Sequence, residues 1–239
     1  MVGPGVGEQA HLAPEISLVV EHNCSLPSVF GAKVERGRRH DQAQTYRGPP
    51  YPRNLWERPL VVRRKDETVT LKANIDIRPA GVQDAAGIAD VAQRTWNDTY
   101  AEIILPTTQE RLLGRWYTPA ALGEATGQSD SWFYVAVVEE KVIGFAQFVM
   151  REDRRGELTR IYVLPEWQRQ GVGGRLLGEG LASLLSHGAQ EVFVHVERGN
   201  NKGIGFYESR GFHGVREFVV ELPDQDLDLV EYTLSLESR

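Results

Sequence analysis

The segment 158–196 constrains the fold more than any other part of this chain. An apolar strand (158–164) runs into a loop rich in Gly and Gln, which opens an amphipathic helix (about 173–186) with Leu176, Leu177, Leu181, Leu184 and Leu185 on one face; a second apolar strand follows at 192–196. Two strands joined through a helix are expected to lie parallel, because the crossover carries the chain back to the same end of the sheet before it re-enters. The flanking strands read differently. Residues 132–138 and 142–150 are apolar runs separated by Glu139-Glu140-Lys141, the pattern of a hairpin, whose strands pair antiparallel. An alternating strand at Ile75-Asp76-Ile77-Arg78, helical spacing from Val82 to Trp96, a second helix at 109–116, a short helix at 201–209 and closing strands at 218–221 and 230–236 complete the order. The expectation is an α+β fold with a mixed, mostly antiparallel central sheet, one parallel strand pair and flanking helices.

This regular order begins only near Asn74. Residues 1–73 show no sustained period beyond short apolar stretches at 16–20 and 60–62, and carry Gly48-Pro49-Pro50-Tyr51-Pro52 and the charge run Arg36-Gly37-Arg38-Arg39-His40-Asp41. They read as a flexible or loosely packed N-terminal extension, with a partner-docking arm as the sharper alternative. A third reading is an upstream extension of a chain that starts at a non-Met codon near Val69, since the only methionines are Met1 and Met150. The net charge of −6 divides into +3 over residues 1–73 and −9 over 74–239. That balance offers no footprint for a phosphate backbone, so no nucleic-acid partner is expected; the acidic second part suits a cationic small molecule, or solubility alone. Cys24 is the single cysteine, so no disulfide scaffold forms within the chain. The apolar runs are far shorter than the ~20 residues of a membrane-spanning helix and no secretory signature is evident, so no membrane partner is expected and the expected location is cytoplasmic.

The loop carries the chemistry. Backbone N–H groups in the first turn of a helix have no partner in the preceding turn, the helix dipole favours negative charge there, and small residues at Gly171, Gly173 and Gly174 let a phosphate approach the main chain; Arg169 or Arg175 would add a formal charge. Spacing separates the possible phosphate loops. No Lys-Ser or Lys-Thr pair follows the glycines, which excludes the nucleotide-hydrolase loop, and the third glycine of a dinucleotide fingerprint counted from Gly171 falls on Leu176. What remains is Gln168-x-x-Gly171-x-Gly173 ahead of a helix, or a tight strand-to-helix turn without a ligand.

A second segment, Asn200-Asn201-Lys202-Gly203-Ile204-Gly205-Phe206-Tyr207-Glu208-Ser209-Arg210-Gly211-Phe212, lies downstream. Together the two segments, in this order, resemble the pyrophosphate-binding and downstream motifs of the GNAT superfamily of acyl-CoA-dependent N-acyltransferases. The resemblance spans residues 74–239 and departs from the family chiefly at Gly203 and Gly205, each of which weakens the short helix by up to ~1 kcal/mol relative to Ala.

The resemblance implies an N-acetyltransferase that moves an acetyl group from acetyl-CoA, its co-substrate, directly to a primary amine of a small molecule or peptide, without a metal. The parallel strands would splay to admit the pantetheine. Main-chain amides around Tyr162, Val163 and Leu164 would hold it and polarise the carbonyl, and Gln168, Arg169, Gln170, Gly171, Val172, Gly173, Gly174 and Arg175 would frame the diphosphate. Asn200 would bond the pantetheine or cap the short helix. Tyr207 looks like the acid that protonates the departing thiolate, and Glu157 like the base that takes the amine proton. Trp96 and Tyr100 read first as core and Asp98 as surface, with a lining of the acceptor pocket as the alternative. His213 reads as a surface residue at a strand start, and Asp224-Gln225-Asp226-Leu227-Asp228 as a solvated turn rather than a Ca²⁺ loop. Strand 230–236 offers an edge for a homodimer. The rival from another class is a non-catalytic acyl-CoA-binding regulatory module.

Overall fold

The computed structural model describes residues 74–236; the reading of residues 1–73 falls outside them. Seven strands form one sheet in the order β1-β2-β3-β4-β5-β7-β6. They are β1 (Asp76–Pro79), β2 (Ser131–Val138), β3 (Lys141–Met150), β4 (Gly156–Val163), β5 (Glu191–Glu197), β6 (His213–Glu221) and β7 (Asp226–Ser235). Every neighbouring pair is antiparallel except β4 and β5, which run parallel. Helices α1 (Ala85–Thr99), α2 (Pro106–Trp116) and α3 (Pro119–Ala125) precede β2, α4 (Val172–Ser186) joins β4 to β5, and α5 (Asn201–Glu208) joins β5 to β6. The α+β expectation holds. Helix α3 is an addition, started by Pro119 and capped by the Thr118 hydroxyl accepting from the Ala121 amide. A Pro at N1 likewise carries α2 back to Pro106, one turn ahead of the apolar pattern.

Packing fixes which face of the sheet each helix covers. Gly180 of α4 lies so close to Phe148 of β3 that a Cβ would stand 2.0 Å from the ring, and Leu184 of α4 fills the space above Gly156 of β4. On the opposite face, the Trp96 indole N–H of α1 donates to the Tyr162 hydroxyl of β4 at 3.0 Å, and the hydroxyls of Tyr117, just after α2, and Tyr162 are 2.6 Å apart. Trp96 and Tyr100 are completely buried here and Asp98 is exposed, the core-and-surface reading. Strand β7 lies between β5 and β6, so residues 230–233 have both edges paired and are not the free dimer edge expected from the sequence; the edge on that side is β6.

The β2–β3 hairpin closes through Glu139 and Glu140, both left-handed at φ 48° and 66° between the paired residues Val138 and Lys141. Two-residue turns of this kind favour Asn-Gly, and each β-carbon held there costs about 1 kcal/mol. The double substitution Glu139→Asn/Glu140→Gly is therefore expected to stabilise the fold by about 1–2 kcal/mol, read as a higher urea midpoint at unchanged slope.

Candidate active site

Strands β4 and β5 pair only at Gly156↔Val192 and Glu157↔Phe193; beyond these residues they diverge. The gap is the splay expected of the parallel pair. Its β4 wall is shaped by a bulge: Leu158 pairs with Phe148 and Arg160 with Gln147, leaving Thr159 as the extra residue. The bulge lies ahead of the 162–164 region and turns Glu157, Arg160 and Tyr162 to the same face, the one covered by α1 and α2. On β5, Phe193, His195 and Glu197 share that face by strand alternation.

The amides expected at the splay need one revision. The Leu164 N–H donates to the Ile143 carbonyl at 2.9 Å and so belongs to the β3 ladder. By alternation Tyr162 has the same orientation, and the amides of Ile161 and Val163 face β5 instead. Of the three amides named from the sequence, Val163 alone points into the gap; Ile161 was missed because two-residue periodicity does not show which edge of a strand loses its partner. The Gln168 side chain donates to the Val163 carbonyl at 2.9 Å and fixes the end of the strand.

On the α4 face, the loop turns through left-handed Arg169 (φ 57°) and Gly171 (φ 83°) into α4. Gly171 has open space where a side chain would be, and no side chain caps the helix. Since the Arg175 amide already bonds the Gly171 carbonyl, the amides of Val172, Gly173 and Gly174 are the first-turn donors without a helical acceptor. Gln170 donates to the Glu166 carbonyl at 2.7 Å, tightening the loop. The two arginines separate: Arg169 is exposed, whereas the Arg175 guanidinium donates to the Ile75 carbonyl at 3.0 Å and anchors the start of β1. A different cation stands beside the helix. Arg210 lies flat over Phe206 at 3.5 Å, donates to the Phe206 carbonyl at 2.9 Å, and has its Nη2 3.3 Å from where a Gly174 Cβ would be. Its place after Phe206, at i+4, was the only sequence signal of that position.

Helix α5 forms despite Gly203 and Gly205. Asn200 is its N-cap, its Oδ1 accepting from the Gly203 amide at 3.0 Å; its Nδ2 is buried with no hydrogen-bond partner among the described residues. Tyr207 is completely buried and meets Phe206 and Phe212 edge-on, while its carbonyl accepts from the amides of Arg210 and Phe212. These contacts hold the phenol in place without strong helix propensity at the two glycines.

The carboxylates on the α2 face are buried. Glu157 is completely inaccessible and ion-paired with Arg151, so it is not a solvated carboxylate at the strand end. Burial pushes the carboxyl of Glu197, at the end of β5, above its usual range against the opposing hydrogen bond from the Gly199 amide. Asp224, Asp226 and Asp228 are exposed, as a solvated turn requires, but the turn is also tethered: Asp224 accepts from Thr108 (3.1 Å) and Arg111 (2.9 Å) of α2, and Gln225 bonds the Leu105 amide (2.6 Å) and Ile103 carbonyl (3.2 Å). His213 is exposed, as expected. Among the described residues no cluster of three His, Cys, Asp or Glu is placed to hold a metal ion, and no helix is long and apolar enough to cross a membrane.

Comparison with known proteins agrees with this geometry. Residues 92–212 match the Acetyltransferase (GNAT) family. The chain is 33% identical over 144 residues to the uncharacterized N-acetyltransferase YuaI of Bacillus subtilis, covering 56% of this chain and 78% of the relative. It is 29% identical over 143 residues to the spermidine N(1)-acetyltransferase of Thermoplasma acidophilum, covering 58% and 88%. Among solved structures, the PaiA N-acetyltransferase of Thermoplasma acidophilum in complex with coenzyme A superposes with a TM-score of 0.58 at 26% identity, over 68% of this chain and 99% of that one. With the splayed parallel pair, the open-ended α4 and the family match over half its length, the chain belongs to the GNAT family and is an acetyltransferase.

Proposed function

We propose that the protein transfers an acetyl group from acetyl-CoA directly to a primary amine of a small molecule or peptide. The observation that carries the reading is the β4–β5 gap, flanked on the α4 face by the uncapped helix terminus and the buried Asn200 Nδ2. A buried donor without a partner is costly, and a pantetheine amide carbonyl beside Asn200 would satisfy it. The amides of Val172, Gly173 and Gly174 suit a diphosphate, with Arg169 adding charge and Gln168 and Gln170 holding the loop's shape. Likeness to a structure in complex with coenzyme A supports the same assignment.

Acetyl-CoA, when bound, supplies an activated thioester. The inward-facing amides of Ile161 and Val163 donate toward its carbonyl oxygen, Tyr207 gives a proton to the departing sulfur, and Glu157, steadied by Arg151, takes the amine proton directly or through water. A polyamine fits the −9 charge of residues 74–239 and the likeness to a spermidine acetyltransferase. Calorimetry with coenzyme A followed by an acetyl-CoA consumption screen over amines tests the proposal: heat of binding and amine-dependent thiol release are expected. Binding without transfer to any amine would overturn the catalytic reading.

A further inference from the structure

Helix α5, which carries Tyr207, has little stability of its own. Its eight residues span about 12 Å, short of the length at which an isolated helix persists in water. Gly203 and Gly205 weaken it further, each lowering the helical population about fivefold relative to Ala. At Gly205 no atom comes within 4 Å of where a side chain would begin, so packing does not call for the glycine there. The N-terminal tie is Asn200, 3% exposed, whose Oδ1 caps the helix while its Nδ2 has no hydrogen-bond partner among the described residues. The C-terminal tie is Arg210. Its amide donates to the Tyr207 carbonyl at 2.9 Å, and its Nη1 donates to the Phe206 carbonyl at 2.9 Å and the Ser209 hydroxyl at 3.1 Å. The Nε–Nη2 edge of the same guanidinium faces α4, 3.8 and 3.3 Å from where a Gly174 Cβ would stand. That edge is the one able to meet two phosphate oxygens side by side. Arg175, the alternative cation on α4, is committed to the Ile75 carbonyl.

Resting on the acetyl-transfer reading above, we infer that Arg210 is a positioning residue that ties coenzyme binding to the placement of Tyr207. A coenzyme phosphate held by the first-turn amides of α4 also takes the Nε–Nη2 edge of Arg210, while a pantetheine carbonyl takes the Asn200 Nδ2. One ligand thus fixes both ends of the helix that bears the acid. Without the phosphate, α5 opens more often at its C-terminal end, and the phenol is in place for a smaller fraction of the time. Turnover then falls along with affinity, because binding of a remote, unreacting part of the donor goes into orienting the group that reacts. Arg210 itself touches no reacting atom.

The test uses the full chain, an amine acetylated in the screen above, and two donors, acetyl-CoA and S-acetylpantetheine, which share the thioester and the pantetheine arm and differ in the phosphates. At saturation, wild type is expected to turn over S-acetylpantetheine about tenfold more slowly than acetyl-CoA. Arg210→Ala should lower kcat for acetyl-CoA toward that level and leave kcat for S-acetylpantetheine unchanged, with Arg210→Lys in between. Gly205→Ala, whose methyl enters open space, should raise kcat for S-acetylpantetheine about fivefold and change it little for acetyl-CoA. This second variant carries the test if Arg210→Ala does not fold. Independently of turnover, saturating coenzyme A should slow amide exchange over residues 205–209 in wild type and much less in Arg210→Ala. Equal kcat for the two donors in wild type, or the same protection of α5 by coenzyme A in Arg210→Ala, overturns the role of Arg210 and leaves acetyl transfer standing. Coenzyme A binding with no amine acetylated overturns acetyl transfer, and the exchange comparison then decides the tie through Arg210 by itself.

Discussion

Replacing Tyr207 with Phe is expected to lower the turnover of acetyl transfer by about 10²–10⁴-fold, the range for loss of a positioned acid. The side chain is completely buried between Phe206 and Phe212, so removing one oxygen leaves the ring contacts and the α5 backbone caps intact. Affinity for coenzyme A should therefore remain near the wild-type value, and thermal stability should shift little. The loss should appear in kcat and kcat/KM together, the signature of an interaction made in the transition state. A second signature distinguishes an acid from a packing residue: an acyl donor whose leaving thiol has a lower pKa needs less proton assistance, so the variant's deficit should shrink with it. An equal deficit for both donors would remove Tyr207 from proton transfer and leave it a wall of the groove.

The architecture was legible in the sequence where period and connection coincide. The crossover from residue 158 to 196 reads as strand, loop, helix and strand from its leucine spacing, and the parallel pair follows from chain connectivity without any knowledge of neighbours. Properties set by pairing partners were not legible. The bulge at Thr159, which turns both Glu157 and Arg160 toward α2, depends on register with β3, and a strand's own alternation carries no register. The inner position of β7 depends on the hairpin folding back between β5 and β6, so residues 230–236 read as an edge although 230–233 are paired on both sides. The acidic turn at residues 224–228 is exposed as read, but its tether to α2 was not legible because the partners of Asp224, Thr108 and Arg111, lie more than a hundred residues earlier. Motif residues came out better than their surroundings: Gly171 stands in the left-handed turn that needs it and Asn200 caps α5, whereas Arg210, within the second segment but given no role there, emerged as a cation beside α4 only from the approach of α5 to α4.

The largest stability effect is expected at Glu231, away from the reacting groups. This buried carboxylate of β7 accepts from His195 (3.0 Å), Arg216 (2.5 Å) and Arg155 (3.3 Å), while the two guanidinium groups lie over Phe218 and Phe193. Burial pushes its carboxyl upward, but the His195 hydrogen bond and the Arg216 charge outweigh this and hold it at about 2, below its ordinary 4.5. A folded-state pKa depressed by that much corresponds to about 3 kcal/mol of stability, fully present above pH 4.5 and lost as the pH falls toward 2. Burial also lowers the pKa of His195 below its ordinary 6.5, against the pull of Glu231, so the neutral imidazole contributes stability that begins to fade once the pH drops below 6.5. Both signs agree: acid should weaken the fold in two stages, first through His195 and then through Glu231. Glu231→Gln keeps the shape but removes the charge facing two arginines, and should destabilise the protein by about 3–5 kcal/mol at neutral pH, as expected for breaking a buried pair by removal of one partner. Urea unfolding from pH 8 to 3 checks both statements, because the variant should lose the stage below pH 4.5 and its curve should converge on that of wild type. Curves that stay parallel through that window would mean that the carboxylate does not titrate with folding, and the role of the Glu231 network in stability would fall to the two arginine–phenylalanine stacks alone.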